Sequence, residues 1–213
     1  MVSEALRLYR PLPLPVRMHT RIRAWTCPFP ALLERVPPGG RLLEVGCGHG
    51  LFANAAALGH PGLDVLGVDP AAEKIRWAEA TVDGRPNVRF ARAEIDEVHE
   101  RDFDLLAVID VLYLVPRPAW PDFLGACRER LRPGGRLLLK EVDRRPRWKF
   151  YRCVAQETLS LRLLGITHGQ AFGFAGRDEM TAALAAADFA GLRVTDLGRG
   201  YATPHILYEA VRA

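Results

Sequence analysis

A nine-residue stretch, LLEVGCGHG at 42–50, constrains this chain more than any other. An apolar run reaches an acid, Glu44, and then breaks into glycines at every second position: Gly46, Gly48 and Gly50. Short apolar runs without alternation suit strands buried on both faces, which calls for helices above and below a parallel sheet. Glycines directly after such a strand let the backbone turn sharply into a helix. The rest of the chain keeps the same rhythm, with short β-rich runs alternating with helical patterns as in βαβ units.

The spacing predicts strands at 41–45, 63–69, 88–93, 103–111 and 136–142, with helices at 51–59, 71–82 and 119–131. A long helix is expected over 145–165, another over 176–189, and two closing strands at 192–198 and 205–212. Residues 3–36 should hold one or two helices interrupted by PLPLP. A length of 213 residues suits one domain with a sizeable core. Its expected parts are an N-terminal helical segment (1–36), a ligand-binding core (40–142), a helical cap insertion (144–175) and a closing helix with strands (176–213).

The net charge of +4 is carried almost wholly by arginine, since Lys74, Lys140 and Lys149 are the only lysines. Such a mild bias gives little reason to expect a nucleic-acid partner. Cys27, Cys47, Cys127 and Cys153 stand far apart with no C-x-x-C pair, which is neither a zinc pattern nor a disulfide framework. A reducing cytoplasm and no metal are expected. No continuous apolar stretch precedes a small-residue cleavage site, so no signal peptide is expected. The longest apolar stretch, LLAVIDVLYLV, contains Asp110 and is too short to span a bilayer.

An open parallel sheet binds ligands beyond the carboxyl ends of its strands. Glycines 46, 48 and 50 would let a ligand approach backbone N–H groups at a helix N-terminus. Asp69 ends the second strand about twenty residues on, where an acid can accept both hydroxyls of a ribose. Replacing it should weaken ligand binding and leave stability nearly unchanged. The dinucleotide fingerprint is G-x-G-x-x-G, whereas this is G-x-G-x-G with Glu44 two residues ahead. A carboxylate there repels a pyrophosphate and suits a ligand with a cationic amino-acid tail.

These residues resemble the class I S-adenosylmethionine-dependent methyltransferases over about 40–142. LLEVGCGHG looks like their first motif, which implies cofactor contacts at Glu44, Gly46, Cys47, Gly48 and Gly50. VLGVDP is similar to the next, with Asp69 and Pro70. VRFARAEID resembles the segment that caps the adenine; by that resemblance Glu94 would meet the adenine amino group and Ile95 would supply an apolar wall. The family more often has Gly-Asp where this chain has Ala93-Glu94. FDLLAVIDVLYLV and LRPGGRLLL resemble the fourth-strand motif and the turn into the fifth strand. The resemblance implies S-adenosyl-L-methionine as cofactor. It also implies an α/β, Rossmann-like, doubly wound sheet of seven mostly parallel strands, the last antiparallel, here with a helical cap.

Methyl transfer is an in-line displacement at a carbon already activated by sulfonium, so positioning and desolvation matter most. A base is needed only when the acceptor must lose a proton early. Asp110, ending the fourth strand, is expected near the methyl group, touching the methionine end or the acceptor. DVLY (110–113) shares its Asp and Tyr spacing with the D-P-P-Y motif of methyltransferases acting on nucleobase amines, but lacks both prolines. Tyr113 is a candidate acceptor contact. Trp148 and Tyr151, in the basic and aromatic RRPRWKFYR, could wall an acceptor pocket, and His168 in GITHGQAFGF could act as acid or base. His19 and Tyr9 are N-terminal candidates of the same kind. His49 reads as part of the turn, and His60, His99 and His205 as surface or strand positions without chemistry. The sequence therefore points to a methyltransferase acting on a small organic molecule at oxygen, such as a phenol, enol or carboxyl. Its rivals are a nucleic-acid or protein methyltransferase and a non-catalytic cofactor-binding partner of another subunit.

Overall fold

The computed structural model describes residues 1–145 and 175–213. Its strands are β1 (Gly39–Val45), β2 (Gly62–Asp69), β3 (Val88–Arg92), β4 (Phe103–Ile109), β5 (Leu131–Val142), β6 (Phe189–Asp196) and β7 (His205–Arg212). They form one sheet in the order β3-β2-β1-β4-β5-β7-β6. β7 runs antiparallel to both its neighbours, and every other adjacent pair is parallel. The chain moves outward from β1 to β3 and then returns to β4 on the other side. That reversal opens a crevice over the carboxyl ends of β1 and β4.

Strand side chains alternate between two cores. Leu42, Val65, Leu105, Leu138 and Leu207 pack beneath α1 (Val2–Leu8), α2 (Leu14–Thr26), α3 (Phe29–Leu33), α4 (Leu51–Gly59) and α5 (Ala72–Glu79). Leu43, Leu66, Leu106, Leu137 and Ile206 face α6 (Trp120–Arg130) and α7 (Arg177–Ala186). Among the described residues no helix is long and apolar enough to cross a membrane.

Several boundaries differ from the sequence expectation, each for a local reason. PLPLP does not merely interrupt: Pro15 lies in the first turn of α2, and Pro30 in that of α3, where a missing N–H leaves nothing unpaired. The N-terminal segment thus holds three helices. β4 stops at Ile109 because Asp110 takes a left-handed φ of 58°. α7 ends at Ala186 and Asp188, at φ 57°, turns the chain into β6 at Phe189. The expected cap, with Trp148, Tyr151 and His168, falls on 146–174 and lies outside the described residues.

A buried polar node fixes the N-terminal helices to the core. Tyr9, 1% exposed, donates its hydroxyl to the His49 carbonyl at 2.7 Å. The Asn54 amide nitrogen lies 3.0 Å from Tyr9 Oη, 2.8 Å from the Gly50 carbonyl and 2.8 Å from Thr81 Oγ1, and Arg85 donates to Asn54 Oδ1. Burial pushes the Tyr9 phenol well above its ordinary range. Tyr9 is therefore a structural hydrogen-bonding group and not the acid or base expected from sequence. Tyr9→Phe keeps the ring but strands the His49 carbonyl, and should lower unfolding free energy by about 1–2 kcal/mol in urea titration. An unchanged midpoint would contradict this role.

Candidate functional site

A cleft of about 810 Å³ opens over the carboxyl ends of β1, β2 and β4. Its walls bring together Glu44, Gly46, Cys47, Gly48, Asp69, Pro70, Glu94, Ile95, Asp110, Tyr113 and His19. Of the sequence-predicted positions among the described residues, Gly50 and Tyr9 are missing from the lining. At Gly50 a φ of 76° starts α4, and a Cβ there would fall 2.5 Å from the Phe90 ring. Gly50 thus has a turn and packing role.

The turn between β1 and α4 is built for approach. Gly46 and Cys47 donate their N–H groups to the Val68 carbonyl at 2.8 and 2.9 Å, tying the turn to β2. At Gly46, φ 71°, a Cβ would lie 2.4 Å from Val111 Cγ2. At Gly48, φ 56°, nothing lies within 4 Å of that position. One glycine is demanded by packing, and the other leaves backbone open to the cleft.

Two carboxylates flank this turn. Glu44, 4% exposed, accepts the Ala53 N–H at 3.0 Å in the first turn of α4. Burial pushes its carboxyl up to about 8; the Ala53 N–H and Arg23 pull it down in part, while Asp69 adds to the rise. Asp69 accepts the Gly48 N–H on Oδ2 and the Ala71 N–H on Oδ1, both at 2.9 Å. It stitches two βα turns together. The expectation that its loss leaves stability unchanged is thereby corrected, since removal of the side chain strands two backbone donors.

Asp110 sits in a charge triplet. Its Oδ2 lies 2.8 Å from Arg23 Nη1 and its Oδ1 2.5 Å from the fully buried Lys140 Nζ. Burial alone would raise its carboxyl, but Lys140 and Arg23 outweigh burial and hold it well below the carboxylate range. A carboxylate so clamped takes up no proton near neutral pH, so Asp110 is a fixed charge and not a base. Sequence reasoning missed both partners. Lys140 and Glu141 stand side by side after the apolar run Leu137–Leu139, and a buried ionisable group on each face needs its own partner. Glu141 takes the other face, accepting the Leu112 N–H at 2.8 Å and the Val111 N–H at 3.2 Å; burial and Asp110 push it up to about 8. Arg23 lies one helical turn after His19, on the same face of α2.

The histidines divide. The His19 and His49 rings stand 4.8 Å apart at the cleft. Partial burial, then His49 and Arg23, hold His19 down at about 4, so its ring is neutral and weakly basic at neutral pH. His205 was expected at a surface or strand position; it lies in β7 but is 3% exposed, with Nε2 2.8 Å from the Thr26 carbonyl. Burial and Lys140 hold it down at about 3, so its neutral ring donates that hydrogen bond.

Residues 18–194 match a family model described as a methyltransferase domain. The chain belongs to the methyltransferase-domain family. The domain so bounded contains every cleft residue named above. Similar proteins include the ubiquinone biosynthesis O-methyltransferase of Acinetobacter baylyi, 28% identical over 131 residues, covering 59% of this chain and 53% of that protein. Its counterpart in Psychrobacter arcticus is 30% identical over 132 residues, covering 59% and 49%. This methyltransferase domain therefore spans about half the length of the curated relatives it matches. The solved structure of the S-adenosylmethionine-dependent methyltransferase SibL has the same fold, with a TM-score of 0.73 at 20% identity, covering 98% of this chain and 61% of that one.

The Glu44 carboxyl makes stability depend on pH. Its folded value near 8 lies above the ordinary 4.5, so the folded domain holds a proton that the unfolded chain releases in between. Stability should fall as pH rises through that window, by on the order of a few kcal/mol. Glu44→Gln should match the wild type below pH 5 and exceed it above pH 8 in thermal unfolding; a difference constant across pH would contradict the assignment.

Proposed function

We propose that this chain binds S-adenosylmethionine in the cleft and transfers its methyl group to an oxygen of a small organic molecule. One observation carries the reading: two buried carboxylates, Glu44 and Asp69, end adjacent strands on either side of a glycine turn left open at Gly48. Glu44 suits the methionine ammonium. Asp69 keeps lone pairs for ribose hydroxyls after accepting one N–H on each oxygen. Ile95 and Glu94, farther along the same wall, suit an adenine. A dinucleotide would bring its pyrophosphate to the glycine turn, beside Glu44.

When bound, the cofactor supplies the electrophilic methyl group. The protein's part is to place the reactants and exclude water. Asp110, ionised between Arg23 and Lys140, is a fixed group in the cleft wall that holds Arg23 in place. Arg23, at the same wall, suits an anionic group such as a carboxylate. His19, held neutral, is a weak proton acceptor, which favours acceptors whose oxygen ionises readily, such as a phenol, enol or carboxyl. Tyr113 and Leu114 supply wall on that side.

The two bacterial relatives are ubiquinone biosynthesis O-methyltransferases, which supports an oxygen acceptor. Acidic residues line the cleft in greater number than basic ones, which disfavours a polyanionic nucleic acid. Three buried free thiols, Cys27, Cys47 and Cys127, fit work in a reducing cytoplasm.

Calorimetry should show binding of S-adenosylhomocysteine and none of NAD. Asp69→Asn, which loses charge-assisted bonds to the ribose, should weaken that binding by about tenfold or more. Incubation with methyl-labelled cofactor and fractionated host extract should then label a small organic fraction. Binding of NAD without response to S-adenosylhomocysteine would overturn the proposal, and tight binding with no label transferred would favour a non-catalytic partner.

A further inference from the structure

α2 turns opposite faces to two environments. Val16 and Thr20 point into the core, and Arg23 reaches the cleft. On the outer face Leu14, Met18, Ile22 and Trp25 stand 60%, 52%, 52% and 81% exposed. At 3.6 residues per turn these four side chains fall within an arc of about 80°. They form a continuous apolar stripe along a 13-residue helix, which marks an interaction surface better than scattered exposed residues do.

The charge around the stripe has one sign. Between Glu4 and Glu34 the chain contains no acid, yet it carries Arg7, Arg10, Arg17, Arg21 and Arg23. Arg23 is engaged by Asp110. Arg7, Arg10 and Arg21 are exposed, and Arg17 and Arg21 run along one edge of the stripe. Elsewhere on the surface arginines meet acids: Arg41 and Arg89 meet Glu100, Arg132 meets Asp104, and Arg101 meets Glu129.

We propose that α2 docks on the surface of an anionic lipid bilayer. Leu14, Met18, Ile22 and Trp25 enter the boundary between headgroups and acyl chains, while Arg10, Arg17 and Arg21 reach the lipid phosphates. An in-plane amphipathic helix gains from its buried apolar face and from attraction to anionic lipid together. Tryptophan favours this interface, and arginine stems lie along apolar surface with the charge in water. A second copy of the chain fits less well, because a two-fold contact through this stripe would set the same arginines against one another. Docking also brings the cleft to the bilayer, since His19 lies on the flank of the same helix. The proposal concerns a surface separate from the cofactor site and stands whatever the acceptor is.

The test is co-sedimentation of the full chain with vesicles of equal phosphatidylglycerol and phosphatidylcholine, beside vesicles of phosphatidylcholine alone. The chain should pellet with the anionic vesicles, with affinity lower by about tenfold or more on the neutral ones or in high salt. Trp25 fluorescence should shift to the blue on binding, a shift that Trp25→Phe removes. Met18→Glu with Ile22→Glu, and separately Arg10→Glu with Arg21→Glu, should each cut binding about tenfold or more while thermal unfolding and S-adenosylhomocysteine affinity hold. The proposal is overturned by failure to bind anionic vesicles, by equal binding to neutral ones, or by full binding in both double variants. It is equally overturned if Trp25 resists acrylamide quenching without vesicles, or if light scattering finds two chains that Ile22→Glu separates.

Discussion

The Asp110 carboxylate holds three parts of this molecule at one point. It joins α2 through Arg23, the end of β4 through its own backbone, and β5 through Lys140. Lys140 is fully buried, and an ammonium there without a partner would cost more than a marginal fold can carry. Removing one member of such a buried pair typically costs about 3–5 kcal/mol, because the other is left charged and dry. Asp110 also adopts a left-handed φ, which aspartate tolerates better than most residues. The floor of the cleft is thereby rigid, and the N-terminal helix that walls it is set in place by a charge and not by apolar packing alone.

The other carboxylates do different work because their neighbours differ. Asp69 has a backbone donor on each oxygen, whereas one buried donor and the more distant Arg23 do not offset the burial of Glu44. One acid is built into the turn and the other is held near its balance point. A cationic ligand group beside Glu44 would favour its charged form and draw its proton off. The proposed ligand would thus couple its charge to proton release through a residue that packing has already desolvated.

The fold was largely legible because its signals are local. The runs RLLEV and LDVLGVD, with the glycines after the first, define a strand, a turn and a second strand through backbone sterics and burial alone. Glu44 and Asp69 followed from where those strands end, and Glu94 and Ile95 from the resemblance of VRFARAEID to the methyltransferases' adenine-capping segment. What escaped sequence reading depends on distance. Lys140 needs Asp110, one residue past the end of the neighbouring strand, where Ile109 pairs with Lys140. Arg23 reaches the same carboxylate from a helix 87 residues away in sequence. Tyr9 looked like chemistry but is consumed by Asn54 and His49, and the Phe90 ring that demands a glycine at position 50 lies 40 residues on. No motif spacing records such long-range pairings.

The central claim is that Glu44, buried and largely protonated near neutral pH, is the group that receives the cationic end of an S-adenosyl ligand. It is tested most directly by titrating S-adenosylhomocysteine calorimetrically at pH 7 in two buffers with different heats of ionisation. The account predicts that binding releases part of one proton, so the apparent enthalpy changes with buffer, and that Glu44→Gln abolishes the change. Binding heat independent of buffer in the wild type, or proton release that persists in Glu44→Gln, would contradict it.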